Sequence, residues 1–323
     1  MSRVPVTSQT WLQNFRPYVN GERVKWPDLQ LNLTAGQSAE VLLEFEYSYL
    51  IGDPESHLML CPESGAPETG LLSDPPFGQL VEMAEGLISL TWVISTDNAA
   101  SGPFTLHFEM PLYQGMPHSP PMAGEIINFE QEVDVTFDAF AVNFGLGHQG
   151  HPCHGATHTV HVRPKPSSHL LNKDVRLLST AQSAGVVVTP APEVWQMLTP
   201  NGVTWQLDCR GTTQDTVFFL QLEEADSGIV SLALDMVLAH NLVTARYWQE
   251  EHCTYPDITW YSYHAQATSA FLQTPARGVP VNVVFNGTPS YPTTDSNGEI
   301  RINNHVNAHL LMSIINRYDG SKV

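Results

Sequence analysis

Short segments in which apolar and polar side chains alternate recur along the whole chain. Residues 41–45, 157–162 and 218–222 show this period of two, which is typical of a β-strand with one face in a core and the other in solvent. Clusters of Gly, Pro, Asn and Asp separate such segments and are typical of turns. The pattern predicts an all-β fold in which many short strands form sandwiches.

The pattern also repeats at a spacing of about 114 residues. Trp92 and Trp205 fall at the same position of the repeat, so we expect both rings to pack between sheets. A third copy begins at residue 277. The matching segments of the first two copies are residues 36–43 with 155–162, 89–92 with 202–205, and 104–109 with 218–223.

These copies predict three tandem β-sandwich modules, at residues 1–130, 131–244 and 245–323. The third is shorter than the others, so either it is a smaller sandwich complete in itself, or the sequence is the N-terminal part of a longer array cut at Lys322-Val323. Asn297 and Gly298 separate residues 291–294 from residues 299–302. Because Asn-Gly tolerates the positive φ of a tight turn, we expect a β-hairpin there.

The third copy resembles a known group of modules. Residues 278–285 read Gly-Val-Pro-Val-Asn-Val-Val-Phe, and residues 294–298 read Thr-Asp-Ser-Asn-Gly. They are similar to bacterial immunoglobulin-like modules of the invasin and intimin type, or to the related carboxypeptidase-regulatory-like sandwich. The first two copies resemble tandem immunoglobulin-like repeats of bacterial surface proteins. The resemblance implies tandem immunoglobulin-like β-sandwich modules that serve in adhesion, spacing or display.

Charge narrows the choice of partner. The chain carries 14 basic and 33 acidic residues, a net charge of −19, which opposes binding to a phosphate backbone. No apolar run approaches the roughly 20 residues that cross a bilayer. We therefore expect a protein or glycan ligand, with no nucleic acid and no membrane insertion.

The compartment is left open by the sequence. Residues 1–11 lack the charged start, apolar stretch and cleavage site of a secretory signal, which favours the cytoplasm or export without such a signal. The bacterial cell surface is an alternative, as is a place near the start of a larger surface protein or toxin. Four scattered cysteines favour reduced thiols over a disulfide framework.

One loop concentrates potential metal ligands. His148, His151, Cys153 and His154 lie within a Gly- and Pro-rich stretch, and imidazole with thiolate is what a tetrahedral zinc site uses. His158 and His161 follow on a predicted strand, where they fall on opposite faces and cannot both reach one ion. The loop at 148–161 supports an alternative function as a metal-dependent enzyme or metal-binding module, against a solvent-facing loop with no ion.

Two further sets are candidates for binding. Acidic residues near the first junction offer oxygen ligands to calcium. Aromatic residues that have no counterpart in the first copy offer either an exposed platform for a sugar or protein, or additional core and junction packing. The acidic set is Glu130, Glu132, Asp134 and Asp138; the aromatic set is Trp195, Trp248, Trp260 and Tyr261, with Tyr247 and Tyr263 beside them.

Catalytic motifs with recognised spacing are missing from the sequence: there is no Gly-x-Ser-x-Gly elbow, phosphate-binding loop or His-Glu-x-x-His helix. We therefore name no catalytic residue. We expect no cofactor, and zinc and calcium are the alternatives. The sequence favours a non-enzymatic interaction, adhesion or spacer protein.

Overall fold

A computed structural model describes the chain over residues 6–7, 9–45, 50–63, 70–96, 101–145, 147–254, 258–304 and 310–323. Strands dominate these ranges. The helical segments among them are α1 (Gln9–Asn14), α2 (Phe129–Glu132) and 3-10 turns at Trp26–Asp28 and Ala181–Ala184.

The first sandwich consists of two five-stranded sheets, ordered β2-β1-β4-β8-β6 and β3-β10-β9-β5-β7. Its core includes side chains from both sheets. The strands are β1 (Arg16–Val19), β2 (Glu22–Arg23), β3 (Gln30–Thr34), β4 (Ser38–Glu44), β5 (His57–Pro62), β6 (Leu71–Asp74), β7 (Val81–Glu82), β8 (Ser89–Thr96), β9 (Gly102–Glu109) and β10 (Met122–Ile127).

The second sandwich has the same sheet order, β12-β11-β14-β18-β16 and β13-β20-β19-β15-β17. Its strands are β11 (Val133–Phe137), β12 (Phe140–Val142), β13 (Gln149–Gly150), β14 (Thr157–Pro164), β15 (Asp174–Ser179), β16 (Val187–Thr189), β17 (Gln196–Met197), β18 (Val203–Asp208), β19 (Thr216–Glu224) and β20 (Leu234–Leu238).

The third sandwich is smaller, with three-stranded sheets ordered β21-β22-β25 and β24-β23-β26. Val281 of one sheet and Ala265 of the other belong to a single core. The strands are β21 (Val243–Thr254), β22 (Ile258–Ser269), β23 (Val281–Phe285), β24 (Thr288–Ser290), β25 (Glu299–Asn304) and β26 (Leu310–Ile314).

The strand order confirms the predicted fold class, all-β with tandem immunoglobulin-like β-sandwich modules. β1, β4, β8 and β6 lie in the order A-B-E-D of an immunoglobulin domain, and β10, β9 and β5 lie in the order G-F-C. In both large sandwiches a short strand pairs in parallel with the last strand, β3 with β10 and β13 with β20.

The two repeat tryptophans are core residues, as the alternating pattern predicts. Trp92 lies opposite Val41 across β8 and β4, and Trp205 lies opposite Val160 across β18 and β14. Both tryptophans are 0% exposed. The Trp92 ring meets Phe108 of the facing sheet edge-on, with centroids 5.1 Å apart, so it bridges the two sheets.

The predicted hairpin across Asn297-Gly298 is wrong. The turn itself forms, because Gly298 has φ +68° and its N–H donates to the Asp295 carbonyl at 3.0 Å. The flanking strands, however, belong to different sheets: β24 pairs with β23, and β25 pairs with β22. The Ala267 N–H donates to the Gly298 carbonyl at 2.8 Å, which anchors the turn on β22. Asn-Gly fixes a turn and not the strands that pair beyond it.

The predicted module boundaries remain a prediction. The chain divides by compactness into two units, and the first contains Met1–Val133, Pro164–Val175 and Glu223–Ser231. The second contains Asp134–Arg163, Arg176–Leu222 and Leu232–Val323, so the third sandwich and most of the second share one unit.

Inside that second unit, a partly buried hydrogen-bond network joins the third sandwich to the second. Asp138 Oδ2 accepts hydrogen bonds from the Tyr318 hydroxyl at 2.6 Å and from His158 Nδ1 at 2.8 Å. His158 is 3% exposed, and its Nε2 accepts the Cys153 N–H at 2.8 Å. Burial, and then the hydrogen bond and charge of Asp138, raise the pKa of Tyr318 well above its ordinary value.

The cysteines are free thiols in contrasting surroundings. Cys153 and Cys209 are buried, whereas Cys253 is exposed. Burial is the main cause that raises the pKa of both buried thiols to about 12.

Among the described residues, no helix has the length and apolar character to span a membrane.

Replacing the Tyr318 hydroxyl should loosen the network. We expect Tyr318→Phe to lower the free energy of unfolding of the second unit by about 1.5–3 kcal/mol, the range for a hydrogen bond to a charged group. Since the folded pKa is raised, stability from Tyr318 is present below its unfolded pKa near 10 and falls as pH rises above it; the variant should lack this fall. Denaturant unfolding at neutral and alkaline pH measures both, with Tyr291→Phe, at a 64% exposed position, as control.

Thiol reactivity should follow burial, because the thiolate is the nucleophile. At about pH 8 an alkylating reagent should modify Cys253 rapidly and spare Cys153 and Cys209 until denaturant is added. Mass spectrometry of the labelled peptides checks this. Equal labelling of Cys153 and Cys253 in the folded chain would contradict the buried positions of the second sandwich.

Candidate functional site

The outer face of the β21-β22-β25 sheet carries two cross-strand pairs of aromatic rings. Trp248 lies opposite His264, and His252 lies opposite Trp260. The Trp248 and His264 rings stack with centroids 4.7 Å apart at 13°, and the His252 and Trp260 rings stack at 4.0 Å and 19°. Because side chains on a strand alternate, residues 248 and 252, like 260 and 264, share one face.

Charged and polar side chains fill the same face between the two stacks. His264 Nδ1 lies 2.6 Å from Glu299 Oε1, and its Nε2 lies 3.4 Å from Glu250 Oε2. Ser262 Oγ lies 3.0 Å from His252 Nε2 and accepts a hydrogen bond from Arg301 Nη2 at 3.0 Å. Ser262 is 0% and His264 5% exposed, so the network is held rigidly at the base of the face.

The opposite face of β22 is the one that packs against the other sheet. Ala265 and Ala267 are 0% exposed and belong to the core of the third sandwich. Tyr261 and Tyr263 fall on this inward side by their register. The Tyr247 hydroxyl, from the same side of β21, accepts the Ile314 N–H at 2.7 Å. The Trp and His side chains of the outer face are therefore not part of the hydrophobic core of the third sandwich.

The structure brings together only part of the predicted aromatic set. Trp248 and Trp260 share the outer face, whereas Tyr261 lies on its reverse. Trp195 belongs to the second sandwich, before β17, where the guanidinium of Arg176 lies 4.4 Å from the ring centroid. Glu250, Ser262 and Arg301, which lie between the stacks, belong to three different strands and are brought into line only by the strand register.

The His/Cys loop is similarly dispersed. His148 is exposed, His151 is half-buried, and Cys153 and His154 are buried. The half-buried His151 has its pKa lowered by burial and by the charge of Arg317. Of the four predicted ligands, His154 is the one that joins a group of three donors within 4.8 Å of one another, and its companions are Asp215 and His240.

His154 is held firmly in that group. Its Nδ1 lies 3.0 Å from Thr212 Oγ1, and that hydroxyl donates to the Cys209 carbonyl at 2.7 Å, so it accepts from an Nδ1–H. His154 Nε2 lies 2.9 Å from Asp215 Oδ1. A cavity of about 80 Å³ beside the group is also lined by Arg277 and Arg317, whose positive charge disfavours a divalent cation there.

The acids considered for calcium have protein donors. Glu132 Oε2 accepts hydrogen bonds from Ser168 Oγ at 2.7 Å and the His169 N–H at 2.6 Å. Asp138 Oδ1 accepts the Thr159 N–H at 2.7 Å, beside the two donors to its Oδ2. An ion would have to displace these donors. Calcium binding by Glu130, Glu132, Asp134 and Asp138 stays a prediction.

A group that the sequence pattern did not reveal lies on the second sheet of the first sandwich. Cys61 of β5 stands directly opposite His107 of β9. The donor atoms of Cys61, His107 and Glu109 all lie within 4.8 Å of one another. Cys61 is far along the chain from His107 and Glu109, so the three form no sequence motif, and only the cross-strand register brings them together.

Comparisons with known proteins do not assign a family. No protein-family model matches the chain, and no curated protein matches it. Three of the similar solved structures are native α2-macroglobulin from Escherichia coli over domains MG0-NIE-MG1, the Dpr2 Ig1-Ig2 and DIP-Theta Ig1-Ig3 complex, and the C-terminal domain of the Streptococcus agalactiae polypeptide BspA.

The likeness to each of these structures is distant. The α2-macroglobulin fragment is 12% identical with a TM-score of 0.21, covering 89% of this chain and 91% of its own. The Dpr2 complex is 9% identical with a TM-score of 0.28, covering 69% and 99%. BspA is 8% identical with a TM-score of 0.24, covering 68% and 99%. The fold assignment therefore rests on the strand order of this chain.

Proposed function

We propose that the chain is a non-enzymatic interaction protein of the adhesion or spacer kind, and that the third sandwich binds a protein partner through the outer face of its β21-β22-β25 sheet. The observation that supports this most is the pair of Trp–His stacks around a charged network on a face that the core does not use.

The composition of that face fits a protein interface. Trp, Tyr and Arg are the residue types that contribute most to binding at protein interfaces, and they act best when held rigidly. The guanidinium of Arg246 lies 5.2 Å from the Trp248 ring centroid. The buried His264 ring stacks on the same tryptophan and holds it in place. An imidazole covers one face of each tryptophan, so a partner would contact the ring edges and the other face.

The face, and not the strand edge, is the surface we assign to the partner. β21 is an edge strand of its sheet, and an open edge invites pairing with another chain. Arg246, Glu250 and Glu251 lie along this strand and are exposed. Charged side chains on an edge are a common defence against strand addition, so a partner would meet the sheet from its outer side.

The connection to the second sandwich supports display of this face at a set position. Val243 N–H donates to Asn316 Oδ1 at 2.8 Å, and Tyr318 N–H donates to the Asn241 carbonyl at 3.0 Å. Asn241 is 1% exposed, and its amide donates to the Pro152 carbonyl at 2.7 Å. Both ends of the third sandwich are thus tied to the second, which favours a rigid spacer over a flexible linker.

The alternative of metal-dependent chemistry has a narrower basis. It now involves His154 with Asp215 and His240, of which Asp215 is the most exposed. Any such activity would need an open ligand position beside two arginines. The interaction role requires no rearrangement of the described residues.

Removing one tryptophan ring should weaken partner binding without unfolding the chain. We expect Trp260→Ala to weaken capture of a specific protein partner by about 30-fold or more, the effect of losing an interface residue worth at least 2 kcal/mol. The full chain is immobilised and exposed to a dilution series of extract and culture medium of the source cells. The captured proteins are quantified by mass spectrometry at each dilution.

Trp195→Ala is the matched control, because it removes an exposed tryptophan from the second sandwich. It should capture the same protein as the unchanged chain. An identical captured set for Trp260→Ala would disprove this role of the face. Binding confined to a glycan array, and lost in Trp260→Ala, would overturn the protein partner in favour of a sugar.

A further inference from the structure

We propose that Cys61, His107, Glu109 and His118 form a structural zinc site on the outer face of the first sandwich. The site is independent of the binding face of the third sandwich. Cysteine thiolate, imidazole and carboxylate are the donors that zinc takes in tetrahedral sites.

The sheet places the donors on one side. Leu60 of β5 and Phe108 of β9 are 0% exposed and lie in the core. Their neighbours Cys61 and His107 therefore point outward, directly opposite each other across the two strands. Glu109 lies two residues beyond His107 on the same face. A donor set built on adjacent strands is more precise than one on a loop.

His107 stands between two carboxylates with one nitrogen unsatisfied. Its Nε2 lies 2.7 Å from Glu109 Oε1, and its Nδ1 lies 3.7 Å from Glu63 Oε1. The ring is 7% exposed, and Nδ1 is buried without a hydrogen-bond partner. A neutral imidazole carries only one N–H, so the other nitrogen presents a lone pair to a negative group. If a metal ion binds one ring nitrogen, the other nitrogen carries the N–H, and neither nitrogen then presents a lone pair to a carboxylate.

His118 lies beside these three donors, and its exposed ring supplies the fourth ligand once it turns out of its stack with His107, because two parallel imidazoles cannot both aim an in-plane lone pair at one ion. It lies in the segment between β9 and β10, and its ring stacks on His107 with centroids 4.5 Å apart and planes 2° from parallel. Its Nε2 lies 3.5 Å from Glu109 Oε1. Zn–N bonds of about 2.0–2.1 Å at tetrahedral angles place donors about 3.4 Å apart. The 3.5 Å between His118 and Glu109 already matches this spacing, the 2.7 Å between His107 and Glu109 must widen, and the exposed His118 ring must rotate.

The Cys61 thiol lies close to the Glu109 carboxylate. Burial, and then the charge and hydrogen bond of Glu109, raise the pKa of Cys61 to about 11. A bound divalent cation reverses that effect and takes the thiol as thiolate, with the proton released to solvent. In contrast to the His154 group, no arginine is among the charged groups that shift the pKa of Cys61. The result is a tether joining β5, β9 and the segment that leads to β10.

The test uses the full, untagged, reduced chain with Zn²⁺ and Co²⁺ as probes. We expect calorimetry to show one equivalent of Zn²⁺, weakened by about 100-fold or more in Cys61→Ser and at least about tenfold in His118→Gln. Co²⁺ should give a near-ultraviolet thiolate-to-metal charge-transfer band that Cys61→Ser abolishes. His118 has a 65% exposed side chain, so its variant tests the site even if Cys61→Ser were to unfold.

Two variants serve as controls. Cys253→Ser removes the exposed thiol of the third sandwich, and Asp215→Asn alters the His154 group; both should bind Zn²⁺ and give the Co²⁺ band like the unchanged chain. The proposal is overturned if Zn²⁺ does not bind, if Cys61→Ser binds it with unchanged affinity, or if binding is lost in Asp215→Asn instead.

Discussion

Burial of one face of each core strand is the constraint on which this structure depends. A sandwich is stable only if both sheets turn an apolar face inward. In a strand this commits every second residue to the core and leaves the alternate residues outside. β4 and β14 follow the rule closely, with Val41 and Val160 on the inner side opposite Trp92 and Trp205. The outer residues are then free to differ from module to module without cost to the fold.

The sandwiches use that freedom in different ways. On the first, the outer residues of β5 and β9 gather a thiol, an imidazole and a carboxylate. On the third, the outer residues of β21 and β22 form two Trp–His stacks, and the buried Ser262 lies between them. The Asp138–His158–Tyr318 network fixes the third sandwich to the second. Our two proposals assign a tether to one module and a docking face to another, which is the pattern expected of a protein that binds and positions partners.

Local regularities explain which features the sequence could predict. Alternation predicted the fold class and the buried tryptophans, because a period of two is a property of a single strand. Register is a property of two strands that are distant along the chain, and it cannot be predicted from the pattern of either strand alone. Asn297-Gly298 therefore predicted a turn but the wrong pairing, and His154 was grouped with its sequence neighbours although Asp215 lies 61 residues away. Register also brings Cys61 opposite His107, and it places Tyr261 on the reverse of the face that holds Trp248 and Trp260.

Hydroxyl-radical footprinting of the tryptophans, read by mass spectrometry on the folded chain, tests most directly whether functional side chains occupy the outer faces. Trp92 and Trp205 are 0% exposed, whereas Trp248 and Trp260 are half-buried on an outer face. We expect Trp248 and Trp260 to be oxidised while Trp92 and Trp205 stay protected until the chain unfolds. Equal protection of all four would contradict it, because Trp248 and Trp260 would then be core residues and the docking face would not exist.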